Sequence, residues 1–274
     1  SGGMFPDLLY TVDSNSISFV EHNKSGLSLD NIFLNSSTHI ESLGDVFFST
    51  AGDLNNDGAL DVIALGSDSN MYYFIGDGRG SFDRNTSSEL DGPLLGSPDH
   101  AVICDIDQDG DQDVIVSLFA SSKVVWFEHE NSNPKGKFLA QKDLVPSTFG
   151  REGLDFISVG DMDGDYDLDL IVAYQSSDEV LWYANDGFQN FKEGGVVASS
   201  TNGLDQPRYL ELVDLNNSNS LGDRFQTPDI LIAAKGGIYK ATNDGTGDFQ
   251  VSSVVTLGSS LGMVVRAVNL DGNP

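Results

Sequence analysis

One short pattern, rich in aspartate, recurs along this chain of 274 residues and constrains its fold more than any other feature. Three copies read DLNNDGALDVIAL from Asp53, DIDQDGDQDVIVS from Asp105 and DMDGDYDLDLIVA from Asp161, so their starts lie 52 and 56 residues apart. Each copy carries Asp or Asn at its first, third, fifth and ninth positions and continues as an apolar run. A repeat of this length indicates a tandem array of one supersecondary unit.

Two incomplete copies extend the series. DLNNSNSLGDRFQTPDILIAA begins at Asp214 and has an expanded loop before Asp229. VNLDGNP begins its pattern at Asn269, near the end of the sequence. With these copies the series predicts about five repeats.

A second signature follows each aspartate loop: an aromatic residue in a predicted strand, then a turn, then an apolar residue. The aromatic positions are Phe19, Tyr73, Trp126, Trp182 and Tyr239. The apolar positions after the turn are Leu29, Phe82, Phe138, Phe191 and Phe249. Aromatic residues in one register are typical of packing between repeated units. Each repeat is therefore predicted to contain a strand, the aspartate loop and three further strands.

Four strands in about 55 residues form one blade of a β-propeller. No stretch shows sustained helical periodicity. We therefore predict an all-β chain that forms a single β-propeller domain over residues 1–274, with five four-stranded blades. The predicted blades are 264–274 together with 1–45, then 46–98, 99–152, 153–206 and 207–263.

The first of these blades is expected to close the ring by joining both ends of the chain. The C-terminal segment supplies a strand and half of an aspartate loop, and the N-terminal segment begins where such a loop should finish. Asn269, Asp271, Asn273 and Asp7 would together form this loop. Closure would replace two exposed sheet edges with paired strands. The alternative is that these repeats are a stretch of a longer, seven-bladed chain.

The chain is strongly acidic, with 42 Asp and Glu against 14 Lys and Arg and a formal net charge of −28. Such a charge repels phosphate backbones and anionic membranes, so we expect no nucleic-acid partner. No apolar run approaches the ~18 residues that span a bilayer, and no transmembrane segment is expected. Cys104 aligns with Gly52 and Gly160 of the other repeats and is predicted to be a small core residue.

The spacing of oxygen-bearing side chains in the loops favours a hard cation. Ca²⁺ takes six to eight oxygen ligands and tolerates irregular geometry, whereas Mg²⁺ demands a tighter octahedron. Gly58 and Gly110, which follow the fifth position, permit a sharp turn. Solvated aspartate-rich turns are the alternative, but carboxylates crowded in three loops would repel one another without a cation. We predict about three strong Ca²⁺ sites, and up to five in all.

The loop and the aromatic signature together resemble the FG-GAP/VCBS repeat, the repeat of integrin α-subunit propellers. The matching motifs are DxDxDGxxD followed by VIV, and the downstream pattern W-[FY]-x-N-x-G. The resemblance implies a β-propeller with Ca²⁺ bound between the first and second strands of a blade. It implies as ligands Asp53, Asn55, Asp57 and Asp61; Asp105, Asp107, Asp109 and Asp113; and Asp161, Asp163, Asp165 and Asp169. Weaker candidates are Asn269, Asp271, Asn273 and Asp7, and Asp214, Asn216 and Asp229.

The family includes adhesion proteins, lectins and a few polysaccharide lyases, so the fold does not decide the function. The leading hypothesis is a non-catalytic binding or adhesion module for a glycan or protein, in an extracellular, cell-surface or other Ca²⁺-rich exported compartment. One alternative is a polysaccharide lyase or hydrolase that would use a basic residue such as Arg151, Arg208 or Arg266. Ion pairs with the acidic loops are the simpler explanation of these arginines. The other alternative is a structural subunit of a larger complex.

Overall fold

The structure of the chain is a computed structural model that describes residues 8–13, 16–22, 33–40, 46–79, 81–84, 90, 92–94, 96–130, 137–145, 151–215 and 227–257. These residues form twenty strands and two single 3₁₀ turns, Gln175–Ser177 and Ser200–Asn202. The prediction of an all-β chain is confirmed. Within the described ranges, no helix has the length and apolar character needed to cross a membrane.

Five antiparallel sheets follow one another along the described chain. The first contains β1 (Leu8–Asp13), β2 (Ser16–His22) and β3 (Phe33–Ile40). The second contains β4 (Val46–Gly52), β5 (Asp61–Gly66), β6 (Asn70–Gly76) and an outer strand in two pieces, β7 (Phe82–Arg84) and β8 (Gly92–Pro93). The third contains β9 (Pro98–Cys104), β10 (Asp113–Leu118), β11 (Lys123–Phe127) and β12 (Lys142–Val145).

The last two sheets are regular. The fourth contains β13 (Leu154–Gly160), β14 (Asp169–Tyr174), β15 (Glu179–Asn185) and β16 (Phe191–Ser199). The fifth contains β17 (Pro207–Val213), β18 (Asp229–Ala234), β19 (Gly237–Asn243) and β20 (Phe249–Thr256). In both sheets each strand pairs with the next one in the sequence.

Four of the five sheets have the predicted order of strand, aspartate loop and three further strands, and this arrangement is consistent with a β-propeller. The first sheet has three strands in the described part of the chain, so four complete sheets are present where five four-stranded blades were predicted. Residues 1–7 and 258–274, on which the predicted ring closure depends, lie outside the described residues. The closure and the number of blades stay predictions.

The chain forms two compact units. One comprises Ser1–Asp105, Gly110–Ile115 and Trp126–Lys142, and the other Ile106–Asp109, Val116–Val125 and Asp143–Pro274. The first and second sheets belong to one unit, the fourth and fifth to the other, and the third sheet contributes residues to both.

The second strand of each complete sheet is buried along its whole length. All six residues of β5, β10, β14 and β18 are buried. A strand covered on both faces reads as a continuous apolar run rather than an alternating one, which explains sequences such as DVIVSL and DLIVAY. In the second unit, Ile171 and Trp182 of the fourth sheet pack in one apolar cluster with Ile230 and Ile232 of the fifth.

Small residues end the first strand where a neighbouring sheet approaches closely. A Cβ atom on Gly52 would lie 2.8 Å from Ile103 Cγ2, and one on Gly160 would lie 2.7 Å from Leu212 Cδ1. Both distances are shorter than carbon atoms tolerate, so a larger residue would force the sheets apart. Cys104 ends β9 and is buried, as predicted, and this burial raises the pKa of its thiol.

In the four complete sheets, the apolar residue after the turn that follows the third strand has the predicted register. Phe82, Phe138, Phe191 and Phe249 lie opposite Gly76, His129, Asn185 and Asn243, respectively. In the first sheet Phe33 lies opposite His22, and Leu29, the predicted residue, lies outside the described part.

The predicted aromatic register is wrong at one position. Trp182 lies opposite Ile171, two residues after Asp169. Tyr239 instead lies opposite Ile232, three residues after Asp229, and Lys240 occupies the position equivalent to Trp182. Trp182 is the fourth residue of β15, whereas Tyr239 is the third residue of β19 and Lys240 the fourth, so the aromatic residue comes one position earlier in the fifth sheet.

The last aspartate of each loop is buried, and in three of the four complete sheets it accepts hydrogen bonds from two separate parts of its sheet. One carboxylate oxygen accepts from the N–H of the second loop residue, and the other accepts from the N–H of the residue at the end of the third strand. For Asp169 these donors are Met162, at 2.9 Å, and Asn185, at 2.9 Å. For Asp61 they are Leu54, at 3.0 Å, and Gly76, at 2.8 Å.

The same contacts recur where the loop itself is irregular. Asp229 accepts from the N–H of Leu215 at 3.0 Å and from that of Asn243 at 2.8 Å. In the third sheet, Asp113 accepts from the N–H of His129 at 2.8 Å. In three of the four complete sheets this aspartate therefore ties the loop to the end of the third strand, and Asp113 shares the bond to the residue after the third strand.

We expect Asp229→Ala to lower the free energy of unfolding by about 2–6 kcal/mol, because two backbone N–H groups lose their acceptor at about 1–3 kcal/mol each. The measurement is urea unfolding in EDTA, so that no metal contributes. Asp248→Ala, at an exposed aspartate of the same sheet, is the matched control and should unfold like the unaltered protein. Equal midpoints for the two variants would show that the tie is not structural.

Candidate functional site

The three complete aspartate loops share one backbone conformation. Their fourth and sixth residues have left-handed φ angles between 57° and 100°, and these residues are Asn56 and Gly58, Gln108 and Gly110, and Gly164 and Tyr166. Glycine adopts this conformation at no steric cost, and Asn tolerates it better than most residues. Tyr166 is the exception, since a bulky side chain there is strained by about 1–3 kcal/mol.

The loops also share one hydrogen-bond register. The first aspartate accepts from the N–H of the sixth residue: Asp53 from Gly58 at 2.9 Å, Asp105 from Gly110 at 3.0 Å and Asp161 from Tyr166 at 2.9 Å. The third residue accepts from the N–H of the fifth: Asn55 from Asp57 at 3.0 Å, Asp107 from Asp109 at 3.3 Å and Asp163 from Asp165 at 3.3 Å. The predicted alignment of the loops is thus found in their local geometry.

In two loops the carboxylates converge. One oxygen from each of Asp161, Asp163 and Asp169 lies within 4.8 Å of the others. The same holds in the preceding repeat for Asp105, Asp107 and Asp109. Asp165 and Asp113, the remaining predicted ligands of these loops, are outside the two groups.

The loop that begins at Asp53 is arranged differently. Among the described residues, Asp53, Asp57 and Asp61 form no such group of carboxylates. The side-chain amide of Asn55 donates to Asp57 at 3.1 Å instead. A cation at this position would use the other atom of the amide, the Oδ1 oxygen of Asn55.

The converging carboxylates carry an electrostatic cost that a cation would relieve. Burial raises the pKa of Asp169 to about 7 and that of Asp61 to about 6, against the hydrogen bonds from backbone N–H groups. Burial, followed by the neighbouring charges of Asp165 and Asp161, also raises the pKa of Asp163. Asp105 Oδ1 is buried and has no hydrogen-bond partner among the described residues. A divalent cation bound among the converging carboxylates would offset the penalties of Asp105, Asp163 and Asp169.

These residues therefore fit a hard cation. Asp161, Asp163 and Asp169 would hold it in one loop, and Asp105, Asp107 and Asp109 in the other. The ninth aspartate can serve both its backbone donors and a cation, because a carboxylate offers about four lone-pair positions. Bound Ca²⁺ would supply charge neutralisation and would cross-link the two ends of the loop.

The structure also shows contacts between successive loops that sequence reasoning missed. Asn56 Nδ2 donates to Asp111 Oδ1 in the following repeat. Gln108 Nε2 donates to the carbonyl oxygen of Tyr166 at 2.6 Å and to Asp167 Oδ1 at 3.3 Å. The donors are both fourth-position amides, and the acceptors belong to the sixth and seventh residues of the next loop. The recurrence of an amide at this position was the available signal.

A buried histidine and aspartate lie beside the loop of the third sheet. His129 Nδ1 is 3.3 Å from Asp111 Oδ2, and the two residues are 4% and 7% exposed. The His129 ring also contacts Phe138, with 4.9 Å between ring centroids. His129 occupies the position that Asn185 and Asn243 hold in the next two sheets, opposite the first apolar residue after the turn.

The weaker candidate ligands form no further group of converging carboxylates in the described residues. Asp214 is exposed, and Asp229 is buried against its two backbone donors. The other weaker candidates, Asn216, Asp7, Asn269, Asp271 and Asn273, lie outside the described residues.

The expected ion pairs between arginines and acidic loops are wrong for Arg151. Its guanidinium contacts Glu179 at 2.9 Å and Glu193 at 2.9 and 3.0 Å, and these glutamates belong to β15 and β16. This pairing ties strands of the fourth sheet together. Arg208 faces the side-chain amide of Gln175, and Arg266 lies outside the described residues.

The sequence matches the FG-GAP-like repeat family over residues 53–116 and 105–172. The two matches begin at the first aspartates of the first two loops, so the repeat that the family defines is the one found here. The resemblance drawn from the sequence is confirmed, and residues 53–172 match the FG-GAP-like repeat. No curated protein matches the sequence.

Solved structures of similar fold include a lectin of Agrocybe aegerita, described for specific recognition of non-reducing terminal N-acetylglucosamine. It has a TM-score of 0.57 and 18% identity over 92% of this chain and 66% of the lectin chain. A Lactobacillus plantarum protein has a TM-score of 0.59 and 14% identity over 90% of this chain and 67% of its own. BBS1N, solved in complex with ARL6DN, has a TM-score of 0.50 and 14% identity over 77% of this chain and 56% of its own.

The chain thus spans about two thirds or less of the length of these proteins. At such identities the likeness shows the fold alone, and the fold is of the β-propeller type.

We expect Asp163→Ala to lower the number of bound Ca²⁺ ions by one, because it removes a carboxylate from the converging group of its loop. Asp167→Ala removes the same charge from the seventh position, where the first loop already has Ala59. It should therefore leave the number of bound ions unchanged. Isothermal titration calorimetry measures both. An equal loss of bound ions in the two variants would contradict this assignment of ligands.

Proposed function

We propose that this protein is a Ca²⁺-binding β-propeller that acts as a non-catalytic binding module for a glycan or protein ligand. The observation that carries the proposal is the common register of three aspartate loops, two of which gather three carboxylate oxygens within 4.8 Å. Such a set of hard oxygen donors suits Ca²⁺ better than a transition metal. The twelve predicted ligands of the three loops remain part of the proposal.

The proposed role of Ca²⁺ is structural. Three ions would change the formal charge from −28 to −22, since each adds two positive charges. They would remove the strongest local repulsion and fix the loops that join the first and second strands. Loops held in this way form a rigid surface, and rigid surfaces bind partners at a lower entropic cost.

Binding without catalysis is favoured by the residues around the loops. Arg151, a candidate basic residue for an enzyme, is held by two glutamates, and these contacts raise the pKa of its guanidinium. His129 is enclosed beside Asp111 and Phe138. Neither group is available as a general acid or base to a substrate in solvent.

The ligand class in this proposal is a glycan or a protein. A lectin and a protein complex among the structures of similar fold support these two classes. An extracellular, cell-surface or other Ca²⁺-rich exported location is part of the proposal, because millimolar Ca²⁺ would keep weak sites filled.

The first test is a pair of thermal melts in EDTA and in millimolar Ca²⁺. An ion that binds only the folded state stabilises it by about 2.7 kcal/mol per site at one hundred times its Kd. The melting temperature should therefore be higher in Ca²⁺ by several degrees. Mg²⁺ is the control and should have a smaller effect, since it demands a tighter geometry. Superimposable melts in EDTA and Ca²⁺ would contradict the proposal that the protein binds Ca²⁺.

The second test separates binding from catalysis. The Ca²⁺-loaded protein is incubated with a panel of glycans and acidic polysaccharides and with a panel of peptides. A binding module should retain a ligand and release it unchanged. New unsaturated or reducing ends on a polysaccharide would show an enzyme instead.

A further inference from the structure

Two highly exposed aromatic side chains lie in neighbouring turns at one end of the fourth sheet. Tyr166 is 75% exposed and Phe188 is 79% exposed, whereas the other exposed large apolar residues in the described part of the chain reach 40% to 52%. Tyr166 belongs to the aspartate loop between β13 and β14, and Phe188 to the turn between β15 and β16. Exposed apolar side chains that lie in neighbouring segments, rather than singly, often mark an interaction site.

The two turns are in direct contact. A Cβ atom on Gly187 would lie 2.7 Å from Asp167 Oδ2, so the turn packs against the loop. Asn185 Nδ2 donates to the carbonyl oxygen of Leu168 at 3.2 Å and holds the two segments together. Tyr166 precedes Asp167 and Phe188 follows Gly187, so the aromatic residues flank this contact. We call Tyr166, Asp167, Gly187 and Phe188 the aromatic tip.

The conformation of Tyr166 shows that the fold does not require its side chain. Its φ is 75°, and the equivalent residues of the other two loops are Gly58 and Gly110. Glycine satisfies this backbone without strain, whereas tyrosine does not. Its ring is too exposed to contribute much to the core. A strained, exposed aromatic residue is better explained by contact with a partner than by packing.

The surroundings of the aromatic tip are acidic. Residues 161–169 contain five aspartates and no base, and the adjoining turn, residues 186–190, adds Asp186 and no base. One bound Ca²⁺ would change the sum of these charges from −6 to −4. The protein as a whole carries −28. A charge of this sign attracts basic partners and repels acidic ones.

We propose that the aromatic tip binds a basic segment of a partner protein, with lysine or arginine side chains over the rings of Tyr166 and Phe188. Cations are attracted to the faces of aromatic rings, and nearby carboxylates add to the attraction. Tyrosine is also among the residues most often found at the energetic centre of protein interfaces. The inference rests on the proposed binding function and narrows its ligand to a basic protein segment.

The test uses fluorescence anisotropy with a short labelled peptide of alternating arginine and serine, in Ca²⁺ and at physiological salt. The unaltered protein should bind this peptide and should not bind the matched peptide with glutamate in place of arginine. Tyr166→Gly and Phe188→Ala should each weaken binding by roughly tenfold, as expected for loss of a desolvated cation–π contact. Val254→Ala, at an exposed residue of β20, is the control and should bind normally.

These variants leave the net charge unchanged, so they separate the aromatic contribution from general attraction to an acidic protein. Tyr166→Gly also distinguishes binding from structure. Because glycine relieves the strain, its melting temperature should equal that of the unaltered protein or exceed it by up to roughly 4 °C. A fall in melting temperature would assign Tyr166 a structural role and overturn the inference.

Equal peptide affinity in Tyr166→Gly, Phe188→Ala and the unaltered protein would also overturn it. If the unaltered protein retains a glycan from the panel and Tyr166→Gly does not, the aromatic tip binds sugars, and the inference of a basic protein partner is also overturned. Failure of the inference in any of these ways leaves the Ca²⁺-dependent melts unchanged, whereas failure of the proposed function appears in those melts.

Discussion

A buried carboxylate that accepts hydrogen bonds from two distant backbone N–H groups is the contact on which the rest of this fold depends. The ninth aspartate begins the second strand, and from there it holds both the aspartate loop and the end of the third strand. Burying a charge is costly unless hydrogen bonds satisfy it, and bonds to an ionised acceptor are the stronger kind. Asp61, Asp169 and Asp229 each meet this condition with two N–H donors.

This tie explains why the repeat tolerates variation in the loop. The fifth sheet retains both bonds to Asp229, although its loop is expanded and its aspartate pattern is incomplete. The frame of each sheet and the capacity to bind a cation are therefore separable. The converging groups at Asp105 and Asp161 use the same frame and add the carboxylates that a cation needs. The ninth position keeps its aspartate and both hydrogen bonds in the fifth sheet, where the rest of the loop pattern is incomplete.

Much of this arrangement could be predicted because it depends on local spacing. The aspartates at alternate positions predicted the loop register, and the apolar runs predicted the buried second strands. The shift of Tyr239 could not be predicted, since the aspartate pattern does not mark where the third strand begins after a turn of variable length. The partners of Arg151 were also hidden, because its glutamates lie 28 and 42 residues away. Contacts at that range depend on strand pairing rather than on sequence spacing.

The bonds from Asn56 and Gln108 to the following loops show how neighbouring repeats depend on each other. Both amides occupy a left-handed backbone position, which Asn tolerates better than most residues. Tyr166 at a position of glycine could be noticed in the sequence, but its exposure could not. A cation in the aspartate loops is the feature on which the proposed function of this protein depends most.

The most direct measurement is anomalous diffraction from crystals of this protein grown in Ca²⁺, which locates the ion without reference to its ligands. The account predicts anomalous peaks inside the loops that begin at Asp105 and Asp161, with Asp161, Asp163 and Asp169 around the second peak. The proposed Ca²⁺ sites would be contradicted if the loops kept the backbone hydrogen bonds of this structure and held no anomalous peak.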